Sequence, residues 1–470
     1  MLVYSSTEET GLIASGQALG SKIHGGMGHT LGSIMIKLSP CSKIDWIGRA
    51  RPEMISLWII LFIPFLIYGL FIFRYAVNIP YYDDYDVILN FMNTFVQTGT
   101  VMEKISLFFL QHNEHRIVFD RIITLCYYYL FDEIDFKSLI IFGNLGWVLT
   151  VSMLMVYLKK SSSSLYCLIP IPYFLLSFSH WENMFFAMAA IQNYWFIFFT
   201  IAFLISLSKN KITLSCVFFI MALLTSGGWV VLYPLGNLFL VLRRKWKSFV
   251  LFFAVSTCCV IFYFHGYYKP PYHPSILEVA LNPFRTMAYF LTFLGNILPF
   301  QTKYSTLPIG LLLCLLAAYI IFKQCDNLFW KLIIYFAVMI ASLTTVTRSG
   351  FGVEQAISSR YSLFPLLVLT SICVLATSSK ISRVTGTGKN VSLSVVVGAV
   401  FFWGVSFVLI ERDHYFLTMK NQRLTSVAEF NDDNKDGLLY PNKDQAAQIL
   451  LLAEQRRIYD YRSHIVRKPN

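Results

Sequence analysis

Charge is what this sequence has least of: Asp, Glu, Lys and Arg make up 14% of its 470 residues, against about 25% in a soluble domain. That shortage excludes an ordinary soluble enzyme. Cysteine is scarce too. Nine are spread along the chain with no CxxC pair, which excludes a disulfide scaffold. No Walker A or GxSxG motif occurs, and no cytoplasmic domain that would hold a nucleotide. There is no detectable internal repeat, and no pair of broken helices of the kind an inverted-repeat transporter carries. What is present is apolar. Hydrophobic residues make up 56%, with 42 Phe and 27 Tyr, and the mean hydropathy is +0.58. A disordered chain would lack these aromatics. The net charge of +12 comes from short basic tracts between apolar runs, which is the pattern of a membrane protein and not of a nucleic-acid binder.

The first apolar run of spanning length is 55–75, followed by a polar, aromatic stretch over 76–137. Ten more runs follow, at 138–158, 164–179, 184–207, 212–225, 228–242, 248–264, 306–322, 328–346, 361–377 and 391–410. The chain therefore reads as an all-α, polytopic transmembrane helical bundle of about eleven spans. Its parts are a disordered cytoplasmic tail over 1–50 (Met35 offers a shorter start), a membrane domain over 51–410, and a polar tail over 411–470. With the N-terminus inside, the cytoplasmic connections hold thirteen Lys and Arg and one acid, Asp326. The other twelve acids between 54 and 410 fall on the opposite side, where the C-terminus also lies. Lys and Arg set this orientation. The run 286–300 would invert every later loop if it crossed, so it is expected to be a re-entrant or interfacial helix. In the tail, KDQAAQILLLAEQRRIYD has helical spacing after Gly437 and Pro441 and predicts an amphipathic helix, either a lid over the site or a solvated element.

The outer side is where chemistry collects. Asp83, Asp84 and Asp86 follow the first run within YYDDYD. Three carboxylates in four residues repel one another and are costly at a membrane boundary unless they serve a proton, a metal or a cation. Adjacent Asp83 and Asp84 point different ways, so one is able to face a substrate while a neighbour holds the other. A solvated loop with Asx turns is the bland alternative. The cluster His112-Asn113-Glu114-His115-Arg116 comes next. Its histidines are three apart, not the four of HExxH, which argues against a zinc hydrolase. His112, Glu114, His115 and Arg116 are read as orienting a substrate or the Asp pair, the alternative being a cap on the interfacial helix 117–131. Further along, His180 and Glu182 lie close to a span, where charge usually has a partner. Gln192-Asn193 follow one or two turns below.

The last cluster is Thr347-Arg348-Ser349-Gly350-Phe351-Gly352, then Ser358-Ser359-Arg360-Tyr361. Arginine binds phosphate oxygens bidentately, and exposed backbone N–H groups assist. Headgroup anchoring by snorkelling is the alternative, but anchoring needs neither the glycines nor the paired serines. Carboxylates, aromatics and phosphate-binding arginines at a membrane boundary suit a donor whose phosphate is linked to a lipid. A carboxylate would take a proton from an acceptor hydroxyl, and the arginines would stabilise the departing phosphate.

An acidic pair in a long first outer loop, with YYDDYD, HNEHR and a late SRY before a span, resembles the GT-C class of polyprenyl-phosphate-dependent glycosyltransferases. Within it the chain looks most like the bacterial integral-membrane glucosyltransferases that modify O-antigen in serotype conversion (Gtr-type). The resemblance covers about 55–460. It implies Asp83 or Asp84 as catalytic base and undecaprenyl-phosphate-glucose as donor. It also implies substrate-binding roles for Asp86, His112, Glu114, His115, Arg116, His180, Glu182, Arg348, Arg360 and Tyr361. The acceptor would be lipopolysaccharide O-antigen or another surface glycan. The place would be the bacterial inner membrane, with the site facing the periplasm. Members of the class differ over a divalent metal, so the resemblance assigns none. An O-antigen polymerase and a transporter or flippase for a lipid-linked sugar are the rival readings. The flippase would carry charges in mid-membrane, and the span centres hold essentially none.

Overall fold

A computed structural model of the chain describes residues 52–161, 165–271, 273–323, 327–378, 388–412, 414–431 and 434–462. The expected tail over 1–50 lies outside them, as do Asp326, Lys380 and Arg383. Among the described residues there are helices and no strand. Helix α1 (Pro52–Tyr75) leads to a π-helical turn at Tyr85–Asn90 and to α2 (Phe91–Gln97), α3 (Val101–Phe109) and α4 (Val118–Phe131). Then come α5 (Phe136–Ser161), α6 (Pro170–Leu175), α7 (Trp181–Phe185), α8 (Ala187–Ser208), α9 (Ile212–Thr225), α10 (Leu232–Leu242) and α11 (Trp246–Phe264). The short α12 (Ile276–Leu281) and α13 (Pro283–Gly295) precede α14 (Lys303–Lys323), α15 (Leu328–Arg348), α16 (Leu363–Ser378) and α17 (Gly388–Glu411). The tail forms α18 (Tyr415–Ala428) and α19 (Lys443–Gln455).

Among the described residues eight helices are long and apolar enough to cross a membrane: α1, α5, α8, α11, α14, α15, α16 and α17. Helices α9 and α10 are apolar but shorter. The chain is thus an all-α membrane protein. Helix α8 is its centre, with 78% of its most apolar window buried against 17% for α11 and α17, which leaves the latter two to face lipid. Without a hydrophobic drive between helices, close packing and hydrogen bonds hold such a bundle. Both occur around α8. A Cβ on Gly143 of α5 would stand 2.4 Å from the Cβ of Ala190, so the two backbones touch. Tyr68 Oη donates to Asn144 Oδ1 at 2.5 Å, and Asn144 Nδ2 donates to the Met184 carbonyl at 2.9 Å.

The expected span over 164–179 is not one continuous helix. Pro170 and Pro172 remove donors, and the segment becomes α6 between 3-10 turns at Tyr166–Leu168 and Phe178–His180. Broken backbone at membrane depth survives only where protein satisfies it. Here Trp147 Nε1 donates to the Leu175 carbonyl at 2.7 Å, and Trp403 Nε1 to that of Leu176 at 3.1 Å.

The run 286–300 forms α13, whose 13 residues reach about 20 Å, short of a roughly 30 Å hydrocarbon core. It packs against α14 through Gly295 and Gly310. A Cβ on either would sit 1.8 or 1.9 Å from a carbonyl oxygen of the other helix. The tail helix α19 is neither a lid nor solvated. It packs on the π-helical turn and α2, burying Ala446, Ala447, Ile449, Leu450 and Ala453. Asn93 Nδ2 donates to the Ile449 carbonyl at 3.0 Å, and the Ile134 N–H to that of Ile458 at 2.7 Å. The first loop and the C-terminal tail therefore form one body at one end of the bundle.

Candidate active site

The acidic pair is divided by its surroundings. Helix α8 starts at Ala187 after Phe186, which has no side-chain oxygen to cap it. Asp84 supplies the cap from a distance. Its Oδ1 accepts the Met188 N–H at 2.8 Å, and its Oδ2 accepts the Tyr81 N–H at 3.1 Å. A carboxylate there also faces the positive end of the helix dipole. Asp84 is 1% exposed. Burial pushes its pKa up to about 7, opposed by the two N–H donors and by Arg423. Arg423 comes from α18, with its guanidinium 4.1 Å from the Tyr81 ring centroid and a hydrogen bond to the Phe185 carbonyl. Asp83, by contrast, lines a cavity and is a third exposed, with Oδ1 4.0 Å from His112 Nε2.

The HNEHR cluster is a tight turn and not a helix cap. His112 and His115 exchange both backbone hydrogen bonds, at 2.8 and 2.9 Å, around Asn113 at φ +50°. The turn sets both imidazoles and Glu114 on the cavity wall. The Gly227 N–H donates to His115 Nδ1 at 3.0 Å. Burial holds the pKa of His115 down at about 4. The neutral ring therefore carries its proton on Nε2, 3.5 Å from Glu114 Oε1. Glu114 also pairs with Arg348 and lies 3.4 Å from His273 Nε2. Burial lowers the pKa of His112 and of His273 as well, so these rings act as hydrogen-bonding groups and not as cations.

The late loop is organised by Glu182. Its Oε2 accepts from Ser358 Oγ at 3.0 Å, Ser359 Oγ at 2.8 Å and the Arg360 N–H at 3.3 Å, with Arg360 Nε at 3.9 Å. The paired serines thus hold the loop rather than a ligand, and the Arg360 side chain projects into the cavity. Tyr361 accepts from Gln355 Nε2 at 2.8 Å.

These elements enclose a polar cavity of about 230 Å³. Its wall carries Asp83, His112, Glu114, His115, Gln192, Arg348 and Arg360. A larger cavity of about 460 Å³ shares Glu114, His115, Gln192, Asn193, His273, Arg348 and Arg360 with it. The larger one runs between helices past Phe196, Tyr263, Phe264, Ile340, Leu343 and Phe364. A charged chamber therefore continues into an apolar groove, with two arginines at the junction.

Several expected site residues lie elsewhere. Asp86 accepts from Tyr440 Oη and from Gln445 Nε2 (3.1 Å), which fastens the tail. Arg116 donates to the carbonyls of Tyr263 (2.8 Å), His265 (2.6 Å) and Phe109, tying the first loop to α11. His180 is fully buried between Tyr194 Oη at 2.8 Å and the Leu175 carbonyl at 2.9 Å, where it completes the broken segment. None of the three lines either cavity. Gln355 and Arg423 were not singled out by sequence, and Lys269 and His273 stood out only as members of the aromatic outer loop 265–273, with no role assigned. Arg423 sits in a polar tail, so it did not carry a local signal. Gln192-Asn193 did, as a polar pair within an apolar run.

Among the described residues no group of three or more His, Cys, Asp or Glu is arranged to hold a metal ion. Glu114 is engaged by Arg348, and Asp83 faces away from Asp84, so the donor set does not fit a divalent cation and no step is derived through one. Searches against protein-family models, curated proteins and solved structures return no match to the chain.

Proposed function

We propose that the protein is an integral membrane glycosyltransferase of the GT-C type. It moves a sugar, glucose by the family resemblance, from a polyprenyl-phosphate donor to a surface glycan such as lipopolysaccharide O-antigen. The observation that carries this reading is the polar cavity opening into an apolar groove across Arg348 and Arg360. A lipid-linked sugar phosphate has the matching order of parts. The prenyl chain suits the groove, the phosphate suits the arginines, and the sugar suits the chamber.

In this reading Asp83 is the base. It takes the proton of the acceptor hydroxyl as that oxygen bonds to the sugar C1. The C1–O bond to phosphate breaks, its electron pair leaves with the polyprenyl phosphate, and Arg348 and Arg360 receive the charge. Glu182, Ser358 and Ser359 position Arg360, and Asp84 positions Asp83 through the start of α8. The site belongs on the periplasmic face of a bacterial inner membrane. In this reading the eight long helices, α9, α10 and the broken segment over 165–186 are counted as eleven crossings. An odd total fits a cytoplasmic N-terminus with loop and tail together outside, and it leaves the basic tracts at 159–160, 209–211 and 243–247 inside.

The test uses the full chain in vesicles with a short-chain polyprenyl-phosphate glucose and an acceptor polysaccharide. Asp83→Asn is expected to lower kcat at least about 100-fold while the protein still inserts and binds donor. Wild-type turnover by Asp83→Asn removes the base assignment. A wild-type protein that transfers sugar from no polyprenyl-phosphate donor removes the function.

A further inference from the structure

Gln192 occupies the second turn of α8 and is 5% exposed, yet its Nε2 has no hydrogen-bond partner among the described residues. It lines both cavities. A buried amide N–H left unpaired is costly, so a native structure that keeps one points to a ligand that completes it. Other amides on these walls are already engaged. Asn193 Nδ2 donates to Asn183 Oδ1 at 2.8 Å, and Gln355 Nε2 to Tyr361 Oη. Met188, Ala189, Gln192 and Asn193 lie on one face of α8 and floor the polar chamber. The helix start that sets their height is fixed by Asp84 through the Met188 N–H.

The chemistry of Gln192 decides what it meets. Phosphate at the junction already has two guanidinium groups, which bind it by charge and by paired donors. A neutral amide with one donor end and one acceptor end suits a hydroxyl. Sites built to hydrogen-bond a hydroxyl reject analogues that lack it, because the protein group is then stranded. Resting on the glycosyltransferase reading, we propose that Gln192 is a specificity-determining residue whose Nε2 donates to a ring hydroxyl of the transferred sugar. The ring lies over the first turns of α8 and the phosphate points toward Arg348 and Arg360.

The experiment pairs a missing hydroxyl with a missing amide. Wild-type protein and Gln192→Ala, both full-length in vesicles, are assayed with short-chain polyprenyl-phosphate glucose and with each monodeoxy version of it. One deoxy donor is expected to lower wild-type kcat/KM about tenfold or more. Gln192→Ala should show the same loss with the complete donor and no further loss with that deoxy donor, since both changes remove one contact. Sugar-free polyprenyl phosphate should inhibit both proteins equally, which shows that the variant is folded and its phosphate site intact. Additive losses, or an unchanged kcat/KM in the variant, overturn the assignment. So does a parallel loss of inhibition, because Gln192 would then act on the phosphate or on the fold. If the wild-type protein transfers nothing from any of these donors, the glycosyltransferase reading itself has failed, an outcome distinct from a fault of Gln192 alone, in which the wild-type protein transfers sugar and only the pattern of the variant's losses departs from expectation.

Discussion

Asp83 and Asp84 share a peptide bond and little else. Asp84 has both oxygens committed to N–H donors and is sealed from water, while Asp83 opens on the cavity. Asparagine at 84 keeps one acceptor and turns an amide donor toward the other N–H. Where the buried acid is protonated it has the same single acceptor and single donor, so Asp84→Asn should leave stability near the wild-type value at pH 5. The pH sign follows from the raised folded pKa of about 7 against an ordinary 3.8. Folding takes up a proton between those values. Asp84's contribution is full below about pH 4 and is lost as pH rises through 7. Thermal unfolding in detergent should show wild type losing Tm relative to Asp84→Asn as pH rises from 5 to 8, and a constant difference would contradict the burial argument. At this scale sequence gave residue types but not partners. Asp86, Arg116 and His180 carry the chemistry a site needs; Asp86 and Arg116 are taken by groups far along the chain, Tyr440 and the Tyr263 carbonyl, and His180 by Tyr194, 14 residues on, beyond the break in the helix. Spacing along the chain contains no information on contacts more than a hundred residues away.

Helices were the most legible level, because apolar runs of spanning length have one physical meaning in a chain this poor in charge. The expected runs coincide with the eight long helices and with α9 and α10. Hydropathy alone missed the break in the segment 164–179, since it counts Pro170 and Pro172 as tolerable residues while the backbone registers two missing donors. It likewise offered no way to see that α19 packs on the first loop, because its partners, Asn93 and the π-helical turn, come from the other end of the sequence. Element packing also yields a contrast between glycines. Gly295 faces the Thr306 carbonyl so closely that a methyl group must part α13 from α14, whereas Gly404 on α17 has nothing within 4 Å. Gly295→Ala should cost about 3 kcal/mol, at the upper end of overpacking. Gly404→Ala should leave stability unchanged or slightly higher. Thermal unfolding of the two variants in one detergent checks this, and equal Tm values would contradict the close helix contact.

At the scale of the molecule, the division of labour is spatial. Helices α8, α11, α15 and α16 build an apolar groove. The first loop, braced from behind by the tail, closes a polar chamber over it, and Arg348 and Arg360 from the late loop mark the boundary. Sequence made the ingredients visible, with Asp83, Glu114, Arg348 and Arg360 all singled out, but not their convergence, which depends on how three loops fold over one helix end. It also gave no hint that Glu114 would pair with Arg348. The most direct test is saturable labelling with a photoreactive polyprenyl phosphate, followed by mapping of the adducts. Adducts on groove residues such as Phe196, Ile340 and Phe364, competed away by unlabelled polyprenyl phosphate and reduced by Arg348→Ala, are the result expected. Adducts confined to the lipid-facing sides of α1 and α17, with no competition, would contradict the account.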